Sequence, residues 1–295
     1  MKDMIIPARG PFDLRLTVLS HGFCQVPPFE WSEADGVLTM AVKPGRGKPI
    51  TARVGRADGG VAVSTPGGAG LRKTAEIVSH CLRLDEDYAG FYSLCDKNER
   101  FRGASKAGVG RMLRSPSVFE DIVKSICGTN VAWRQAVRMI HAVCELGEEA
   151  RGSRLRVFPG PEAILEAGPL WLRERARVGY RADYIIELCR RVVDGDLDLG
   201  PVDSGELDSD ELKRMFLSVK GIGKATCNYL LMLHGEYANL SIDSATRALM
   251  RKITGEEMTD RQIELRYADF GEWKALALWY EWMTASGWLD GFEEK

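Results

Sequence analysis

The feature that most limits how this 295-residue chain can fold is a change of hydrophobic period near residue 70. Before it, "FDLRLTVLS", "GVLTMAVKP", "PITARVGRA" and "GVAVSTPGG" are short, alternating, β-branched runs broken by Gly, Pro and Asp, the pattern of antiparallel strands. After it the apolar residues recur at helical spacing, from "LRKTAEIVSHCLRL" to "EWKALALWYEWMTASG", and many of these segments end in Gly. The pattern predicts an α+β protein, with an N-terminal antiparallel β-sheet domain over residues 1–70 and a mostly helical body over 71–295. The Gly-rich "TPGGAG" at 65–70 is the expected linker.

Composition narrows the classes further. With 45% hydrophobic and 28% charged residues, the chain can bury one large core or two moderate ones. The seven cysteines stand singly in apolar segments, without CxxC or Cys/His spacing, as reduced core thiols would; no structural zinc or iron–sulfur cluster is expected. "MKDMIIPARGPFDL" has no apolar run long enough for a signal peptide, and no segment approaches a membrane span, so a cytoplasmic location is expected, or a nuclear one in a eukaryote. A net charge of -2 requires any nucleic-acid contact to be concentrated on one face.

Within the helical body, "VKGIGKATCNYLLMLHG" (219–235) puts a Gly-x-Gly turn directly ahead of an apolar helix. A dinucleotide site would need a strand before the glycines, whereas "DELKRMFLSV" has helical spacing. Two readings survive. The turn is either a helix C-cap and connector, or a helix–hairpin–helix (about 211–235) whose Gly221 and Gly223 let backbone N–H groups approach a DNA phosphate. Asp243, just ahead of "SATRALMRK", is placed to cap the next helix, whose dipole favours its ionised form, with Arg247 one turn on as a pairing partner. A fixed carboxylate near a phosphate grip suits cleavage of an N-glycosidic bond, which builds positive charge on the sugar.

The run "LKRMFLSVKGIGKATCNYLLMLHGEYANLSIDSATRALMR" resembles the helix–hairpin–helix and aspartate signature (HhH-GPD) of the DNA glycosylase superfamily that includes endonuclease III, 8-oxoguanine glycosylase and 3-methyladenine glycosylase II. "RSPSVFEDIVKSICGTNVAW" and "VGYRADYI" are similar to elements of 8-oxoguanine glycosylases, the C-terminal "EWKALALWYEWMTASGW" to the last helix of 3-methyladenine glycosylase II, and "FDLRLTVLSHGF" to the N-terminal sheet of both. The resemblance implies base-excision repair: a monomer on double-stranded DNA, flipping out a damaged purine, alkylated or oxidised, with no membrane association. It makes Asp243 the catalytic carboxylate, places Asn130, Tyr180 and Arg181 at the DNA stack, assigns Gly221, Gly223 and Lys224 to phosphate contact, and gives Phe23, with the backbone around Gly22, Trp279 and Trp282 to the base pocket.

Where bifunctional relatives carry a Schiff-base lysine, two positions after the second hairpin glycine, this chain has Ala225; Lys224 comes one place early. The resemblance therefore implies a monofunctional enzyme that leaves an abasic site. The alternatives are a bifunctional 8-oxoguanine glycosylase/lyase using a shifted Lys224 or Lys220, and a catalytically silent lesion binder. Ala275 stands where 8-oxoguanine glycosylases carry a base-reading glutamine, so oxidised and alkylated purines both stay open. No cofactor is implied beyond a monovalent cation at the hairpin. The Lys- and Arg-rich stretch at 97–114 is expected either as a solvated face or as a further phosphate contact.

Overall fold

The computed structural model describes residues 3–287. Strand β1 (Asp3–Pro7) and a short helix α1 (Leu14–Val18) lead to β2 (Phe29–Ser32), β3 (Val37–Val42), β4 (Ile50–Ala57) and β5 (Gly60–Ser64). Helices follow: α2 (Leu71–Leu82), α3 (Ala89–Cys95), α4 (Ala104–Ala107), α5 (Val118–Gly128), α6 (Trp133–Cys144), α7 (Pro161–Glu174) and α8 (Arg181–Val193). The chain continues through α9 (Gly200–Asp203), α10 (Ser209–Leu217), α11 (Lys224–Leu233), α12 (Ser244–Thr254), α13 (Asp260–Arg266) and α14 (Lys274–Ala285). The protein is α+β, an antiparallel sheet followed by a helical body. No helix of the described residues is long and apolar enough to cross a membrane.

The sheet has the order β1-β5-β4-β3-β2, with every pair antiparallel. Its register places Trp31 opposite Leu38, Leu38 opposite Val54 and Val54 opposite Val63, so one face is a continuous apolar row. That face packs against α2, whose buried stripe is Thr74, Ala75, Val78, Cys81 and Leu82.

One sequence expectation fails here. "FDLRLTVLS" alternates like a strand but forms α1. Asp13 caps this helix, its Oδ1 accepting from Leu16 N–H at 2.9 Å and its carbonyl from Thr17 Oγ1 at 2.9 Å. Leu14, Leu16, Thr17 and Val18 are all buried, so no solvent-facing side of this turn reveals which period governs. Strands β1 and β2, only five and four residues long, are too short to show a period in sequence.

Apolar packing falls into two clusters. The first joins the sheet, α2 and α3 to the chain from Met232 onward, including Ile263, Phe270 and Leu276; the second gathers α5 to α8 with Phe216, Ile222, Leu230 and Leu231. Helix α11 bridges them, with Leu230 and Leu231 in one and Met232 and Leu233 in the other. The second helix of the hairpin is thus the seam of the molecule.

Candidate active site

A cleft of about 1470 Å³ opens along that seam. Its walls come from the 21–25 segment, the end of α5 and the loop into α6, the start of α8, the hairpin turn, the start of α12 and one face of α14. It therefore collects side chains from both packing clusters.

Helix α10 opens with a reciprocal capping box, Glu211 N–H to Asp208 Oδ1 at 2.8 Å and Asp208 N–H to Glu211 Oε2 at 3.0 Å. Helix α11 has no side-chain cap at Gly223, leaving its first N–H groups open to an incoming acceptor. The two hairpin glycines have different reasons. Gly221 has φ +94°, and an added Cβ would sit 2.5 Å from the Tyr184 ring. Gly223 has φ -90°, and a Cβ added there would meet nothing within 4 Å, so nothing inside the chain demands glycine. Close approach of an external backbone would. Gly221→Ala is expected to destabilise the fold by about 1–3 kcal/mol through positive φ and displacement of Tyr184, measured as a shift in the urea midpoint at unchanged slope.

Asp243 is the N-cap of α12, its Oδ1 accepting from Thr246 N–H at 2.8 Å, and it is exposed to the cleft. Its loop is tied to the hairpin helix. Ser241 Oγ donates to the Ala225 carbonyl at 2.8 Å, and Asn228 Nδ2 to the Leu240 carbonyl at 2.8 Å. The expected pairing of Arg247 with Asp243 does not occur: Arg247 forks onto Asp260, at 2.8 and 3.0 Å from its two oxygens. Two acceptors on one planar carboxylate match the guanidinium fork, and Asp243 is already committed to its cap.

Ala225 and Asp243 line the same cleft, whereas Lys224 is exposed and lies outside the lining. Lys220 turns to α8, 3.2 Å from Glu187 and over the Tyr184 ring at 5.8 Å. Among the described residues, Lys124 is the only lysine in the lining, and its ammonium is bound to Glu120 at 2.6 Å.

Asn130 has φ +53° and reaches Tyr180, Nδ2 to hydroxyl 3.4 Å, so the two residues meet at the rim although 50 positions apart. It does not cap α6, whose N-cap is Ala132. Tyr180 is 49% exposed and meets Tyr184 edge to face. Arg181, expected at the DNA stack, is turned into the chain. It is 5% exposed, bonds the Thr129 carbonyl and hydroxyl and the Val178 carbonyl, and covers the Tyr180 ring at 4.7 Å. With these donors bound inside the chain, Arg181 ties the Asn130 loop to the start of α8.

The aromatic wall contains the three expected residues. Phe23 is buried against His21; Trp279 stacks on Trp282 with centroids 5.5 Å apart and donates from Nε1 to the Ser20 carbonyl at 2.6 Å. Ala275 lines the cleft as small surface. Gly22 is fixed by contact: any Cβ there would enter the Trp133 indole. Sequence reasoning missed Trp133, Tyr229, His21 and Lys124. Trp133, 36% exposed, lies nearly parallel to Phe23 at 19° and donates to Gln25 Oε1 at 3.2 Å. Its place at the end of "RSPSVFEDIVKSICGTNVAW", three residues after Asn130, was the available signal. His21 Nε2 faces the Leu113 carbonyl and therefore carries the proton, leaving Nδ1 to accept from the Tyr229 hydroxyl at 3.0 Å. Burial lowers its pKa to about 4, so the ring is neutral.

The basic stretch 97–114 divides: Lys97, Arg102 and Lys106 are exposed, whereas its other cations bond within the chain. Arg111 bonds the carbonyls of Arg9, Pro11 and Arg83, Arg114 that of His80, and Arg100 that of Arg266 together with the Glu281 carboxylate. None of this stretch lines the cleft. Among the described residues, no group of three or more His, Cys, Asp and Glu side chains is placed to hold a metal ion, and all seven cysteines are buried and unbridged.

No family model matches the chain. The 3-methyladenine DNA-glycosylase from Archaeoglobus fulgidus superposes over 98% of this chain and 99% of its own, with a TM-score of 0.80 at 21% identity. The chain has the DNA glycosylase fold. A second solved glycosylase, the apo 8-oxoguanine glycosylase/lyase of Clostridium acetobutylicum, matches over 96% of each chain with a TM-score of 0.74 at 17% identity. In sequence, the DNA-3-methyladenine glycosylase of Bacillus subtilis (strain 168) is 24% identical over 226 residues, 71% of this chain and 72% of that one. This glycosylase fold therefore spans both the sheet and the helical body.

Proposed function

We propose that the chain is a monofunctional DNA N-glycosylase that flips a damaged purine from duplex DNA and hydrolyses its glycosidic bond. The observation that carries this reading is that Asp243 and Ala225 line the same cleft, so a carboxylate is present and the position where a lyase would carry its lysine has no amine. The Bacillus subtilis and Archaeoglobus fulgidus proteins, both named for 3-methyladenine excision, support the reaction class.

The parts divide the work. The uncapped α11 N-terminus and Gly223 take a phosphate of the damaged strand. Asn130 and Tyr180, backed by Arg181, enter the duplex where the purine has left, and Phe23, Trp279 and Trp282 receive the purine. As the C1′–N bond lengthens, positive charge builds on the sugar, and the Asp243 carboxylate stabilises it while water attacks C1′. The electron pair of the broken bond leaves with the base, and the attacking water gives up a proton to solvent or to Asp243. An abasic site remains.

The bifunctional alternative needs a free amine at the sugar. Lys224 lies outside the cleft lining, Lys220 is paired with Glu187 and Lys124 with Glu120. The reading is tested by incubating the protein with duplexes that each carry one damaged purine and identifying the released base by mass. Release of at least one alkylated or oxidised purine is expected; intact bases across the whole panel would contradict it.

A further inference from the structure

Helix α5 places Glu120 and Lys124 one turn apart, both buried, where it passes the cleft. Lys124 Nζ donates to Glu120 Oε1 at 2.6 Å and to Ser115 Oγ at 3.1 Å. The ammonium also lies 4.8 Å from the centre of the Phe23 ring, 5.3 Å from Phe29 and 5.9 Å from Phe158. A buried ion pair adds little stability over an apolar pair of the same volume, so stability gives weak reason for one against a pocket ring. Its electrostatic effect on whatever binds beside Phe23 is direct, because Glu120, Lys124 and Phe23 are all buried and little solvent screens them.

We infer that the Glu120–Lys124 pair sets the charge preference of the base pocket. With the glutamate ionised the pair is neutral and the pocket accepts a cationic, ring-alkylated purine; with it neutral, the lone ammonium disfavours a cation and leaves uncharged purines unaffected. The inference rests on the proposed excision reading and deepens it to a substrate class.

The other groups around the pair hold fixed charge. His21, ahead of α5 in the chain, is neutral above about pH 4. Tyr229 of α11 is pushed well up by burial, as are the thiols of Cys81 in α2 and Cys144 in α6. Asp121, on the same helix, is held below the usual carboxylate range: burial opposes this, but the His234 imidazole, its Nε2 3.3 Å from Oδ2, and the Ser115 N–H, which donates to Oδ1 at 3.1 Å, prevail. Glu120 differs. Burial raises it above the usual carboxylate range against the pull of Lys124.

The test is single-turnover release of 3-methyladenine, a fixed cation in DNA, from methylated poly(dA)·poly(dT), beside release of uncharged hypoxanthine from a matched duplex. At about pH 8, Glu120→Gln is expected to slow 3-methyladenine release about tenfold and to leave hypoxanthine within about twofold of wild type, the effect of one unbalanced charge several ångströms from the base. The double variant Lys124→Met/Glu120→Gln restores 3-methyladenine release, which separates lost charge balance from damaged folding. A 3-methyladenine rate unchanged in Glu120→Gln, an equal slowing of both bases, or no restoration in the double variant overturns the inference. So does a wild type that releases hypoxanthine alone. Release of neither base would instead count against the excision reading.

Discussion

Asp243→Asn is expected to slow base release by about 10²–10³-fold, the magnitude typical of removing one preorganised charge from a transition state. The substitution is informative because it spares the fold. Asp243 caps α12 through one oxygen, and an asparagine carbonyl can accept the same Thr246 N–H, so cap strength changes by only a few tenths of a kcal/mol. The hairpin is untouched, since the Ser241–Ala225 and Asn228–Leu240 hydrogen bonds that join the two loops do not involve the carboxylate. Binding of a lesion duplex, read by fluorescence anisotropy, should therefore stay near wild type while single-turnover release collapses. A parallel loss of binding would mean that Asp243 holds structure, not charge.

Arg83→Leu is expected to cost about 3–5 kcal/mol of stability, because it strips a buried charge network of its cation. Arg83 is fully buried at the C-cap of α2. Its guanidinium lies 2.7 Å from Glu86 Oε1, donates to the hydroxyls of Tyr88 at 3.2 Å and Tyr237 at 2.9 Å, and reaches the Leu233 carbonyl at the end of α11. Truncation would leave the half-buried Glu86 with only the hydroxyls of Tyr88 and Tyr237, at 2.7 and 3.0 Å, and the Leu233 carbonyl without its donor, so the loss exceeds the worth of the pair itself. Burial raises the Glu86 pKa, but Arg83 and Tyr88 outweigh it and hold the carboxyl below its ordinary value. Its stabilisation is complete above the unfolded carboxylate pKa and is lost as pH falls through the lower folded one. In urea titrations the gap between wild type and Arg83→Leu should therefore narrow on acidification. A variant within about 1 kcal/mol of wild type at neutral pH would show the network to be replaceable.

Local chemistry was readable from the sequence. The hairpin and Asp243 follow from glycine's freedom at positive φ and from an aspartate ahead of a helical run, and both lie within a few residues of their signals. The helical segments flanking them stand where their periodicity places them, "DELKRMFLSV" as α10 and "SATRALMRKITG" as α12. What depended on tertiary burial was not readable. The "FDLRLTVLS" alternation gives way to α1 because both sides of that turn are covered. Arg181, Arg111 and Arg100 look like surface cations in the sequence, but backbone carbonyls from distant segments take their donors. Lys124 and Glu120 sit at ordinary i,i+4 spacing, which in sequence is indistinguishable from a solvated pair; only the fold places them against Phe23. His21 and Tyr229, 208 positions apart, meet only because α11 crosses between the two packing clusters.

The central claim is that water, and not a lysine of the protein, takes the sugar. It is tested most directly by treating a duplex whose damaged purine the protein releases with borohydride during turnover, and resolving the products with and without hot alkali. The account predicts strand breaks only after alkali and no covalent protein–DNA adduct. A borohydride-trapped adduct, or nicking without alkali, would place an amine at the sugar and contradict it.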